Sequence, residues 1–255
     1  ASPTVSVNAA RTFAATATGG VSNALTWSAS AGTINPSTGA WTAPAAPQTV
    51  TITATSVEDG TKSATTTVTV VALPAITAFT LIDIGSSVPQ WVFDATFTGG
   101  TGTIDRGVGA ILSGVQLNLG GTPIDVYTLT VTNAAGDSVT RTVSNIQITV
   151  ESPSSPSDLR PGEKVSVLYT VYNATNTAVT FSATGGTVTP VGGFTAPMSV
   201  QPCTVTVTSV ADPTVSLTIT LNVIPLVYPQ SQVVAPNASF TYRAASLGLA
   251  NPEVT

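Results

Sequence analysis

Residues 24–44 read ALTWSASAGTINPSTGAWTAP, and residues 178–197 read AVTFSATGGTVTPVGGFTAP. Trp27 falls on Phe181 and Gly32 on Gly186 at a separation of 154 residues; one deleted residue then makes the separation 153, placing Trp41 on Phe194 and Pro44 on Pro197. The correspondence continues, with TVTITATSV (49–57) on PCTVTVTSV (202–210) and Asp59 on Asp212. Self-similarity at a fixed separation marks a repeated structural unit, and two copies about 150 residues apart leave room for one more between them.

Within each copy, apolar residues alternate with threonine. Val50, Ile52 and Ala54 interleave with Thr51, Thr53 and Thr55, and Val68 and Val70 with Thr67 and Thr69. A period of two marks half-buried strands. Threonine suits the outward positions, because its branched Cβ fits a pleated surface while its hydroxyl faces water. No stretch combines the i, i+3, i+4 apolar spacing of a helix with caps. Clusters of Gly, Pro, Asn or Asp punctuate the chain roughly every ten residues, the rhythm of all-β sandwiches.

Composition narrows the function. The chain has 255 residues, of which 46 are Thr, 7 are Lys or Arg, 12 are Asp or Glu and none is His. Charged residues make up 7%, against about 25% in ordinary soluble domains. Seven cations cannot build a phosphate-binding stripe, so nucleic acid is not an expected partner. One Cys rules out a disulfide framework within the chain, and without His only scattered carboxylates remain for a metal, so neither metal nor cofactor is expected. The most apolar stretches, Val68 to Ile76 and Val223 to Tyr228, are short and broken by Thr or Pro, whereas a spanning helix needs about 20 apolar residues. No membrane insertion is expected. The start at Ala1-Ser2-Pro3, without a basic and apolar leader, reads as a mature product or an excerpt from a longer chain.

The expected units are 1–72, 73–151 and 152–225, followed in 226–255 by the opening strands of an incomplete fourth. Phe240 resembles Phe13, and Val254-Thr255 resembles Leu25-Thr26, so continuation into further domains is expected, with donation of these strands to another subunit as the alternative. The middle unit lacks the Trp and TAP signature but ends in YTLTVTNAAGDSVTRTV (127–143), a strand, turn and strand. Pro-bearing linkers at Ala72-Leu73-Pro74, 152–156 and Ile224-Pro225 read as stiff spacers, and the array as a rod.

The residues from 24 to 70 resemble the bacterial Ig-like domain repeats: a T-W-S strand, a GTI turn, a TG turn before an aromatic-T-A-P strand, then ITATS, an Asp and a closing TVTV. The resemblance covers the first unit and residues 165–224 of the third; the middle unit reads as a diverged Ig-like or fibronectin-like relative. It implies tandem immunoglobulin-like β-sandwich domains on exported proteins, including adhesins and surface stalks.

Candidate residues follow from these patterns. Trp27 and Phe181, mid-strand, read as the core aromatics of the repeat. Trp41 and Phe194 follow a Gly-rich turn, where an aromatic packs beneath the turn or, at a rim, stacks on a sugar ring. Trp91 has no counterpart in the repeat and is the better candidate for a ligand contact. Cys203 aligns with Val50 and reads as a small buried hydrophobe. Asp59 and Asp212 read as turn caps, and Asn173 and Asn237 fit glycosylation sequons. No Ser-His-Asp or Cys-His pair can form without His, and no catalytic residue is assigned. The expected function is a structural segment of an extracellular, cell-surface protein: stalk, filament subunit or sheath. Its partners would be copies of itself or neighbouring domains, because strand edges poor in Lys and Glu are open to pairing. Alternatives are an adhesin or carbohydrate-binding module that contacts glycans through Trp91, and a phage virion or tail-fibre decoration domain.

Overall fold

Threonine outside and valine or isoleucine inside is how the strands settle. In a computed structural model of the chain, which describes residues 2–85 and 88–225, every regular element among the described residues is a strand. The chain divides into two compact units, Ala1–Thr122 with Tyr127–Val143, and Pro123–Val126 with Ser144–Thr255. The fourth opening expected in 226–255 lies outside the described residues.

The first sandwich comprises β1 (Thr4–Ser6), β2 (Ala10–Thr12), β3 (Leu25–Ala29), β4 (Thr33–Ile34), β5 (Ala40–Thr42), β6 (Gln48–Ser56) and β7 (Ser63–Val71). One sheet has the order β1-β7-β6-β3 and the other β2-β5-β4. β1 runs parallel to β7, with Val5 beside Val70, while β6 and β7 form an antiparallel hairpin. Val50, Ile52, Val68 and Val70 point inward and are buried, whereas the intervening Thr67 and Thr69 are exposed. Trp41 of the facing sheet closes this core, with Phe13 and Trp27 packed against it.

The second sandwich comprises β8 (Ala75–Asp83), β9 (Trp91–Thr98), β10 (Thr101–Ile104), β11 (Gly109–Ile111), β12 (Leu117–Asn118), β13 (Val126–Thr132) and β14 (Ser138–Ser144). Its sheets have the orders β12-β9-β8 and β11-β10-β13-β14. Here the first strand stays antiparallel to its neighbour β9 instead of crossing to the closing strand. The core is aromatic: Phe79 stacks on Phe93 at 5.7 Å, and Tyr127 meets Phe93 edge-on at 5.0 Å. The Asn133–Asp137 turn joins β13 to β14, the Asn133 side-chain oxygen accepting from the N–H groups of Ala135 and Asp137.

The second unit holds β15 (Gln147–Ser152), β16 (Ser157–Leu159), β17 (Lys164–Ser166), β18 (Leu168–Tyr172), β19 (Val179–Thr184), β20 (Thr187–Val188), β21 (Gly193–Thr195), β22 (Pro202–Ser209) and β23 (Ser216–Val223). The orders β16-β23-β22-β19 and β17-β21-β20 reproduce the first sandwich strand for strand, including the parallel pair, β16 with β23. β15 lies in the stretch that the sequence groups with the middle unit, yet it pairs with β18, because Ile148 and Val150 pack on the core built around Phe194.

The repeated glycines and aromatics are matched parts. Gly39 has φ +69 and Gly192 φ +83, a region that side chains other than glycine's rarely enter. A Cβ on Gly39 would come within 2.9 Å of the Trp27 ring, and one on Gly192 within 2.9 Å of the Phe181 ring. Gly32 does the same for the other aromatic: a Cβ there would meet the Trp41 indole nitrogen at 2.7 Å. Burying a ring of this size contributes roughly 4–6 kcal/mol of transfer free energy, as an upper bound. Trp41→Ala is expected to lower the unfolding free energy of the first sandwich by about 3–5 kcal/mol, and Gly39→Ala by about 1–3 kcal/mol. Urea titration followed by amide exchange checks both; losses under about 1 kcal/mol would contradict this packing.

Candidate functional site

Trp41 and Phe194 are 1% and 0% exposed. The Trp41 indole N–H donates to the Ala31 carbonyl at 2.9 Å, and the ring meets Phe13 edge-on at 5.9 Å. Neither residue presents a face to a ligand, which corrects the rim-platform reading: strand alternation turns both rings inward under Gly32 and Gly186. Trp27 and Phe181 are half-buried and pack against their cores, Phe181 edge-on to Tyr169 at 5.6 Å. Trp91 differs from all four. It begins β9 opposite Asp83, is half-buried, and its indole nitrogen is buried without a hydrogen-bond partner among the described residues. The structure thus does not gather Trp41, Phe194 and Trp91 into one site.

The polar residues of the repeat serve turns. Asp59 accepts from the Thr61 hydroxyl and N–H, and Asp212 from those of Thr214. The Thr61 hydroxyl and then its N–H hold the Asp59 carboxyl below its ordinary range. For Asp212, burial pushes upward, but hydrogen bonds from the Ser144 hydroxyl and from Thr214 outweigh it and leave the carboxyl lowered. Cys203 is fully buried and free, and burial raises its thiol. The Asn173 amide donates to the Asn145 carbonyl at 2.9 Å; Asn237 lies outside the described residues. No group of three or more His, Cys, Asp or Glu among the described residues could hold a metal, and none of the described helices, there being none, is long and apolar enough to cross a membrane.

Two further features were not singled out from the sequence. A cleft of about 560 Å³ opens in the first sandwich between Ala15–Gly20 and the β6–β7 hairpin, with Leu25, Ala54, Glu58 and Lys62 among its lining. Glu58 closes one end by accepting from the backbone N–H groups of Ser22 and Val21, which hold its carboxyl below the ordinary range. The second is a polar joint in the first unit. The Ser6 hydroxyl donates to the Asp137 carboxylate, and the Asn133 amide donates to Ser6 Oγ and to the Ala72 carbonyl, both at 2.9 Å. Ser6 and Asn133 are buried and fully engaged there, as buried polar groups must be. The signal for the joint was an inward polar residue, Ser6, in an otherwise alternating strand.

No protein-family model matches the chain, and no curated protein does. Among solved structures it is similar to immunoglobulin domains 1–5 of Sidekick-1, at 11% identity and a TM-score of 0.30, over 78% of this chain and 51% of that one. The chain therefore spans about half the length of that structure. It is also similar to mouse cadherin-23 EC22–24, at 13% identity and TM-score 0.28 over 87% and 95% of the two chains. Titin domains I67–I69 follow at 11%, with TM-score 0.32, over 87% and 94%.

Because Glu58, Asp59 and Asp212 titrate below their ordinary values of 4.5, 3.8 and 3.8, what their ionised forms contribute is complete above those values and fades as pH falls through the lowered ones. Stability should therefore stay level from about pH 7 to about pH 5 and decline only near and below pH 4, as urea midpoints at stepped pH would show. Trp91→Phe removes a buried N–H that lacks an acceptor, so stability should be unchanged or raised by up to about 1 kcal/mol in the same assay.

Proposed function

We propose that the chain is a structural segment of an extracellular, cell-surface protein, serving as stalk, filament subunit or sheath, with three successive domains, the third of which begins ahead of β15 and not at 152. One observation carries this reading: the aromatics, glycines and aspartates that the two repeat copies share are used internally. Trp27 and Phe181 pack on their cores, Trp41 and Phe194 are buried, the matched glycines make room for them, and Asp59 and Asp212 cap the same turn. A repeat whose shared aromatics, glycines and aspartates serve packing and turns supports a module used for length and spacing, not for chemistry. The threonine-rich exterior fits the same role, since hydroxyls are indifferent to salt. The first strand of the middle sandwich, antiparallel to β9, favours its reading as the fibronectin-like member.

A second reading, an adhesin contact, rests on Trp91, which has no counterpart in the repeat and whose ring is partly exposed at the start of β9. Electron microscopy and mass measurement of the native assembly test the first reading. Filaments or threads with a mass several times 25.5 kDa are expected, and compact 25.5 kDa particles would overturn it. A glycan array tests the second: specific signal that Trp91→Ala abolishes would replace stalk with adhesin.

A further inference from the structure

Opposite the core, the four-stranded sheets of the first and third sandwiches present hydroxyls at matching positions. Thr26, Ser28 and Ser30, on and just after β3, match Thr180, Ser182 and Thr184 on β19. Thr51, Thr53 and Thr55 on β6 match Thr204, Thr206 and Thr208 on β22. Ser63, Thr65 and Thr67 on β7 match Ser216, Thr218 and Thr220 on β23. The register sets them in rows: Ser28, Thr53 and Thr65 stand side by side, as do Ser182, Thr206 and Thr218. Each sheet thus carries a three-by-three lattice of hydroxyls, exposed on the flanking strands and half-buried on the central one in both copies.

These outward positions are held more strictly than the core behind them. Eight of the nine matched pairs are identical, and the ninth, Ser30 with Thr184, keeps the hydroxyl. Of the nine inward positions over 25–29, 50–54 and 64–68, only Ala29 is matched by the same residue, Ala183; Trp27 is matched by Phe181, Ile52 by Val205 and Val68 by Leu221. Bonding within the sheet does not account for the difference. In the third sandwich the hydroxyls of Thr184 and Thr204 pair at 2.7 Å, and those of Thr206 and Thr218 at 2.8 Å. Among the described residues, no two of the nine hydroxyls in the first sandwich bond to each other. Solvation does not account for it either, since lysine, glutamate and asparagine are as much at home in water as threonine.

We propose that each lattice is a lateral contact for a second copy of this chain, two hydroxyl faces stacking sheet on sheet at about 10 Å. The chemistry of the face selects this occupant. A charged partner calls for opposite charge and an apolar one for apolar side chains. A hydroxyl both donates and accepts, so a lattice of hydroxyls complements the same lattice on another molecule, and with no charge in it the face does not repel its copy. Three strands about 4.8 Å apart, each with three residues about 6.7 Å apart, cover roughly 300 Å², so the two lattices offer roughly 600 Å² per chain. A standard stable interface takes about 800 Å² per partner. Two chains therefore associate weakly, and strength comes from the number of lattices engaged along an assembly. Each repeat must then meet the same surface, which is why the faces match while the cores differ. The inference rests on the structural-segment reading and names the lateral partner within it.

The test uses the 255-residue chain. Sedimentation velocity and amide NMR over a dilution series should show reversible self-association with a Kd of roughly 0.1–1 mM. Concentration-dependent shifts should centre on β3, β6 and β7 and on β19, β22 and β23, and salt between about 0.05 and 0.5 M should not weaken the association. Thr53→Lys with Thr206→Lys, at the centres of the two lattices, should keep the fold by circular dichroism and lose the association. Thr53→Ser with Thr206→Ser should retain it, as should Val21→Lys with Val191→Lys, which adds the same charge at exposed positions off the lattices. A wild-type chain that stays monomeric up to about 3 mM, shifts that map elsewhere, association that survives the lysines at 53 and 206, or equal loss with those at 21 and 191 would overturn the proposal. Each of these outcomes would do so even where micrographs of the native assembly show filaments, so the lateral contact and the structural-segment reading fail separately.

Discussion

The seating of one aromatic ring against one glycine on each side of the fold is the constraint on which these small sandwiches depend. A sandwich of about 75 residues buries only about 60–65% of its unfolded surface and has little stability to spare. Neither a disulfide nor a metal cluster reinforces the described residues. The two sheets must then be closed by a few large rings in full contact. Trp41 and Phe194 meet that need only because Gly32 and Gly186 leave their space empty, and Trp27 and Phe181 only because Gly39 and Gly192 pass over them without a Cβ. A Cβ at Gly32 or Gly39 would crowd the Thr42 or Phe13 backbone carbonyl as well as the ring.

Much of this was legible in the residues. Alternation places Val50, Ile52, Val68 and Val70 correctly because apolar and hydroxyl side chains differ strongly in transfer energy. The aromatics repeat because the packing repeats. Other features leave no such mark. Gln147–Ser152 alternates equally well for either neighbour, so its pairing with β18 is decided by Ile148 and Val150 finding the third core. Two-residue strands such as β4, β12 and β20 are too short to have a period. Ala15–Thr18 lines the cleft without marking it, because small side chains carry no sign of the space left beside them. The direction of β1 is also silent, because a period of two is the same for parallel and antiparallel neighbours.

Scarcity of charge has different consequences inside and outside. Inside the first unit, the joint formed by Ser6, Asn133, Asp137 and the Ala72 carbonyl relies on short polar side chains that satisfy one another. Outside, threonine hydroxyls pair across strands, as Thr184 does with Thr204 and Thr206 with Thr218. Such pairs contribute roughly 0.2–1 kcal/mol each and, unlike ion pairs, are not screened by salt.

The parallel pairing of β1 with β7, and of β16 with β23, has a mechanical meaning. In the third sandwich β15 precedes this pair and joins β18, whereas in the first the paired strands are the first and the last, side by side and pointing the same way. A pull on the ends of the sandwich therefore slides one strand along the other, and their hydrogen bonds bear the force together. In the middle sandwich the first strand, β8, and the last, β14, belong to different sheets, and the Arg141 guanidinium on β14 donates to the Thr77 carbonyl on β8 at 2.9 Å. Tension along the chain would thus meet a parallel clamp loaded in shear in the first sandwich and, in the middle one, first and last strands held in separate sheets.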